Sequence, residues 1–134
     1  MTPFACLLAA SGLSYAEAGL VLGATKETVR DWARGKSRTP ADALAWAHRL
    51  VDAMIDKADT LVDAYEDLAA QHGAPSVIEI AVSTDDHEAQ SNGFLNLAHE
   101  RAIIGLAVAQ LPIGSVKIAP RGSTIVLAAA EKND

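Results

Sequence analysis

Lys26, Glu27, Arg30, Asp31 and Arg34 stand at i, i+1, i+4, i+5 and i+8. That spacing puts all five on one face of a helix, with Val29 and Trp32 turned the other way. Such a face offers cationic donors beside carboxylate acceptors, the groups that match base edges and phosphates. Lys36 and Arg38 follow at once, so five of the chain's eleven Lys and Arg fall between Lys26 and Arg38. The chain as a whole is acidic, with net charge −6 over 134 residues. Residues 1–40 carry five positive and three negative side chains, net +2. Residues 41–72 carry two and seven, net −5, and residues 73–134 carry four and seven, net −3. The first 40 residues are therefore the only region suited to a polyanion.

The charged face needs supporting helices, and the flanking residues predict them. Thr2 and Pro3 read as an N-cap and first helical position, opening a helix to about Ala10 that Gly12 ends. Cys6 falls inside it and is expected to be a buried thiol. Ser14 caps a second helix and Glu17 completes a Ser-x-x-Glu capping box. Its inner face is expected to be Ala18, Val21 and Leu22, and Gly23 stops it. Thr25 caps the third helix, which carries the charged face and ends at Gly35.

Thr39, Pro40 and Asp42 signal another start, with Thr39 as the cap and Pro40 first in the helix. The pattern then runs to about His72, with a possible break near Asp56 to Thr60. Leu44, Ala47, Val51, Met54, Ala58, Leu61, Tyr65 and Leu68 form a heptad seam. The acidic residues mostly lie off it. This helix packs either on its own domain only or also against a partner chain.

Beyond Gly73, residues 76–82 alternate as a strand and residues 84–93 read as a polar loop. Phe94 to Leu111 reads as a helix, its second half apolar nearly all round and so buried on two sides. Residues 116–119 and 124–128 read as two strands joined by a turn at 120–122. A right-handed crossover sets the first two strands parallel. The expected fold class is α+β: an N-terminal all-α helix-turn-helix region (1–40), a long acidic linking helix or helices (41–72), and a C-terminal β-α-β-β unit (73–134).

The stretch LSYAEAGLVLGATKETVRDWARGKSRTP resembles the lambda-repressor-like (XRE-type) helix-turn-helix family. Leu13 and Ser14 open the second helix, Leu22 to Thr25 form the turn, Val29 and Trp32 are buried, and Gly35, Lys36 and Pro40 close the unit. The resemblance implies a homodimer bound to an inverted repeat of double-stranded DNA, with half-sites one helical turn apart, ~34 Å. It implies base reading by Lys26, Glu27 and Asp31, and Arg30 is placed with them on the same face. Glu27 and Asp31 have a second reading, ordinary pairing with Arg30 and Arg34. Phosphate contacts are expected at Ser14, Tyr15, Thr25, Thr28, Arg34, Lys36 and Arg38, through side chains and through free N–H groups at Ser14 and Thr25. Thr28 has local capping, and Tyr15 has packing, as the other reading. Tyr15 stands where the family often has Gln. Residues 1–16 carry no charged side chain, where the family often has Arg or Lys. Leu20 is apolar where a polar residue is usual, and is expected to be covered by the acidic helix or the C-terminal unit. The whole layout is also similar to anti-CRISPR-associated (Aca) and YdiL-like regulators of phages and mobile elements, which implies autoregulation and dimerisation through the C-terminal half. The dimer contact is expected at Phe94, Ile103, Ile104, Leu106 and Val108.

An antitoxin-like module, whose C-terminal half binds a protein partner, is the other reading of the same pattern. Enzyme chemistry is not expected. His48, His72, His87 and His99 form no metal-ligand motif, and no phosphate-binding glycine loop or nucleophile elbow is present. The Asp85–Gln90 cluster reads as a solvated loop rather than a metal site, and no cofactor is expected. With so few aromatic residues, RNA stacking is disfavoured. One cysteine excludes an internal disulfide, no apolar run is long enough to span a bilayer, and a cytoplasmic location is expected.

Overall fold

The computed structural model describes residues 1–73 and 77–120. Among them the chain is mixed α+β, with six helices and a two-stranded parallel sheet. It divides into two compact units, Met1–Asp56 and Lys57–Asp134. The division falls inside the long helix, not at either of its ends.

Helix α1 spans Pro3–Ser11, with Thr2 as N-cap and Gly12 as C-cap. Phe4, Ala5, Leu8 and Ser11 are its buried side. Cys6 lies off that stripe and is exposed, which corrects the expected buried thiol. Helix α2 spans Tyr15–Leu22 and α3 spans Lys26–Arg34. The capping box at Ser14 and Glu17 forms as the spacing requires, and Thr25 caps α3. The inner face of α2 is Ala18 and Gly19, both buried, with Tyr15 and Leu22 half-buried. This is an i, i+3, i+4, i+7 set, and Val21 falls outside it, 57% exposed. Leu20 lies on the opposite side and is 86% exposed, outside the core of this unit.

The reason α2 turns its glycine inward is a close approach. Ala24 N–H donates to the Gly19 carbonyl at 3.0 Å. A Cβ at Gly19 would collide with the Ala24 carbonyl oxygen. The core of this unit gathers Phe4, Leu8, Ala18, Val29, Ala33 and Ala47, with Trp32 against it. Phe4 and Trp32 meet edge to face, with centroids 6.0 Å apart, a geometry that the ring quadrupoles favour.

Thr2 has a second role that its sequence position does not suggest. Its hydroxyl accepts from Ala5 N–H at 3.3 Å and donates toward the Trp32 and Ala33 carbonyls, both at 3.1 Å. One side chain thus caps the start of α1 and the end of α3. Thr2→Val keeps the shape and removes the hydroxyl. It is expected to lower stability by about 1–2 kcal/mol, the worth of a cap, measured by urea unfolding of the full chain.

Helix α4 runs unbroken over Ala41–His72, 32 residues, with no interruption at Asp56 to Thr60. Its first internal bond runs from Leu44 N–H to the Pro40 carbonyl at 3.0 Å. Pro40, and not Thr39, therefore occupies the cap position. The buried side is Ala43, Ala47, Met54, Ala58, Val62 and Tyr65. Leu61 and Leu68 leave the heptad seam, at 36% and 49% exposure. A straight helix drifts about 20° per heptad from a 3.5-residue repeat, so Val62 takes the inward position expected of Leu61.

In the second unit, strand β1 (Ile78–Val82) pairs in parallel with β2 (Val116–Pro120), Ile78 beside Val116 and Val82 beside Pro120. The expected strand at 124–128 and residues 121–122 of the expected turn lie outside the described residues. The expected polar loop instead contains a short helix, α5 (Asp86–Ser91), capped by Asp85 and anchored by buried Ala89. Helix α6 spans Leu97–Val108, shorter than expected. Its cap is Asn96, whose side-chain oxygen accepts from His99 N–H at 2.7 Å. Its apolar half is buried on one side, not two: Ile103, Ile104 and Ala107 face in, while Leu106 and Val108 are 40% and 37% exposed.

Candidate nucleic-acid interface

The charged face of α3 is built as its spacing demands. Val29 and Ala33 are buried at 0% and 2% exposure, which fixes the rotation of the helix. Lys26, Glu27 and Arg34 are exposed, and Arg30 and Asp31 are half-buried beside them. Among the described residues, Glu27 and Asp31 form no ion pair with Arg30 or Arg34. The pairing reading of these two carboxylates therefore has no support here, and their oxygens remain available as acceptors.

The N-terminus of α3 is also exposed. Thr25 Oγ1 accepts from Thr28 N–H at 3.1 Å, and the two threonine hydroxyls lie 2.9 Å apart. The Lys26 and Glu27 N–H groups have no acceptor within a helix, and they stand at this exposed end. Thr28 is thus part of the cap, the local reading of that residue. Its hydroxyl can still turn outward only by leaving Thr25.

Ser14 is different. Its hydroxyl accepts from Glu17 N–H at 3.1 Å, and its own N–H donates to Glu17 Oε1 at 3.0 Å. The N–H expected to be free for a phosphate is already taken, and a carboxylate sits where the anion would come. This corrects the Ser14 backbone contact. Tyr15 is half-buried and packs against the core. Ser14, Tyr15 and Lys26 share a recess of 340 Å³ with Ala5, Leu8, Ala9 and Leu13, so the structure brings these three predicted contacts together.

Lys36 and Arg38 are exposed on the segment between α3 and α4. Lys36 and Ser37 N–H both donate to the Asp31 carbonyl, at 2.9 and 3.3 Å. Those bonds hold the start of the segment against the end of α3, so Lys36 extends the basic edge begun by Arg34.

No protein-family model, curated protein or solved structure matches this chain.

The five residues expected at a dimer contact are divided by the fold. Ile103 and Ile104 are buried inside the second unit, at 1% and 8% exposure, and are not available to a partner. Phe94 is half-buried under Lys57, whose Nζ lies 5.1 Å from the ring centroid. Leu106 and Val108 alone remain open. Among the described residues no cluster of three or more His, Cys, Asp or Glu side chains could hold a metal ion. No single helix there is long and apolar enough to cross a membrane. Sequence reasoning missed the bonds of Thr2 to the end of α3, and it missed Gly19, where α2 meets the turn before α3. A glycine inside a helix was the available signal for Gly19, because it costs stability unless the backbone needs the space.

Proposed function

We propose that this chain is a sequence-specific DNA-binding transcriptional repressor of the helix-turn-helix kind. It acts in the cytoplasm as a homodimer on an inverted repeat and regulates its own operon. The observation that carries the reading is the outward face of α3. It presents three cations and two unpaired carboxylates on a helix whose other side is locked into a core. Side chains of these types read the major groove: Lys26 suits guanine O6 and N7, and Glu27 accepts from a cytosine amine. Arg34, Lys36 and Arg38 supply phosphate contacts at its edge. Glu17 occupies the start of α2, so one subunit has few phosphate anchors and two subunits are needed for tight binding.

The test is binding to DNA from immediately upstream of the gene, in a salt series. Two subunits per site, a clear preference over random DNA and a steep fall with salt are expected. Equal binding to random DNA, or none, removes the reading. The dimer surface on this proposal includes Leu106 and Val108, the open end of α6. Leu106→Asp with Val108→Asp is expected to shift the sedimenting species from two chains to one.

The exposed Ile113 and Ile118 favour a second reading, an antitoxin-like module whose C-terminal half buries apolar surface on another protein. A lone chain that stays monomeric and aggregates would support it.

A further inference from the structure

Within the second unit a pocket of 420 Å³ lies among α4, β1 and α6. Leu61, Ile80, Phe94 and Ile104 give it apolar walls, and Glu79 and Glu100 add two carboxylates. Glu100 is wholly buried, and its Oε2 accepts from Ser83 N–H at 3.1 Å. Glu79 Oε1 is also buried, and among the described residues it has no hydrogen-bond partner. Two nearby cations do not serve it. Lys57 Nζ donates to the Gly93 carbonyl at 3.3 Å and lies over the Phe94 ring. Lys117 is the cross-strand neighbour of Glu79, but it is exposed and, among the described residues, unpaired with it.

A buried carboxylate oxygen without a donor is costly, and a cationic donor brought to it recovers that cost. The volume lies in the range of small-ligand sites, where apolar walls with a few polar groups are the rule. We infer that this pocket binds a small organic cation: an ammonium or amidinium group carried on an aromatic or aliphatic body. The charged group donates to Glu79 Oε1, and Glu100 borders the same pocket. The body lies against Leu61, Ile80, Ile104 and the Phe94 ring. Nothing in this inference depends on DNA binding.

The probes are 2-phenylethylamine and benzamidine, with neutral 2-phenylethanol as the matched control, titrated into the full chain by calorimetry. Both cations are expected to bind, and the alcohol to bind about tenfold more weakly or worse. Glu79→Gln keeps the size of a half-exposed side chain. It is expected to weaken the cations about tenfold, the loss of one charged hydrogen bond, and to leave the alcohol unchanged. Amide and methyl shifts induced by the cations in the unaltered chain should cluster at Ile80, Phe94 and Ile104, a readout that holds even if the variant folds poorly. No binding of either cation at millimolar concentration overturns the inference. So does equal binding of the alcohol, undiminished binding to a folded Glu79→Gln, or shifts that cluster elsewhere.

Discussion

Replacing Lys26 and Arg30 together by alanine is expected to weaken operator binding by about 30-fold to 10⁴-fold, since each good base contact is worth ~1–3 kcal/mol. The fold should survive. Lys26 is exposed, Arg30 is half-buried, and no ion pair of either residue with Glu27 or Asp31 is lost. Thermal stability is therefore expected to change by no more than about 0.5 kcal/mol. Fluorescence anisotropy on operator and random duplexes separates the two roles of these side chains. If both read bases, affinity for the operator falls far more than affinity for random DNA. If both touch only phosphates, the two fall together and the salt slope becomes shallower by about two. Undiminished operator binding would mean that α3 is not the reading element.

Gly19→Val is expected to cost the first unit about 3 kcal/mol or more, the largest effect of any single change considered. The added Cβ would overlap the Ala24 carbonyl oxygen, with Ala24 C at 3.4 Å behind it. That neighbour is backbone, held by the bond from Ala24 N–H to Gly19, so it cannot swing aside as a side chain would. Overpacking of this kind costs about 1–3 kcal/mol in ordinary cores, and here the loss of the turn adds to it. Gly23 provides the comparison. It caps α2 at φ +69°, but no atom lies within 4 Å of a Cβ built there. Gly23→Ala should therefore cost only the left-handed strain, about 1–2 kcal/mol. Urea unfolding of the two variants measures the difference. Similar losses would mean that close packing at Gly19 does not decide the approach of α2 to α3. Gly19→Val should also abolish DNA binding at temperatures where Gly23→Ala still binds, because the turn sets where α3 points.

The local punctuation was legible throughout the first 35 residues. Thr2, Ser14 and Thr25 begin helices and Gly12, Gly23 and Gly35 end them. Each of those signals acts through bonds that span three or four residues, so sequence spacing is sufficient to read it. The parallel pairing of β1 and β2 was legible too, because a strand–helix–strand connection leaves little choice. The charged face of α3 followed from periodicity alone. The same periodicity did not say whether Glu27 and Asp31 would pair with the arginines, since a one-turn spacing permits contact without requiring it.

Cys6, Leu20, Val21 and Leu61 show where the reading stopped. Each is apolar or thiol-bearing in a helix, and each lies off the stripe that meets a neighbour. The stripe is chosen by the surface it packs against, which is contributed by residues far away in the chain. Gly19 turned α2 by demanding contact with the Ala24 turn. Accumulated drift turned α4 past its heptads. The sequence by itself determined the starts and ends of the N-terminal helices, the parallel strands and the cation-bearing face, all consequences of short-range bonds and fixed periods. The tertiary structure alone decided which apolar residues went inside, and that Glu79 and Glu100 would border one pocket. Those outcomes depend on which distant surfaces meet, and no local spacing encodes that.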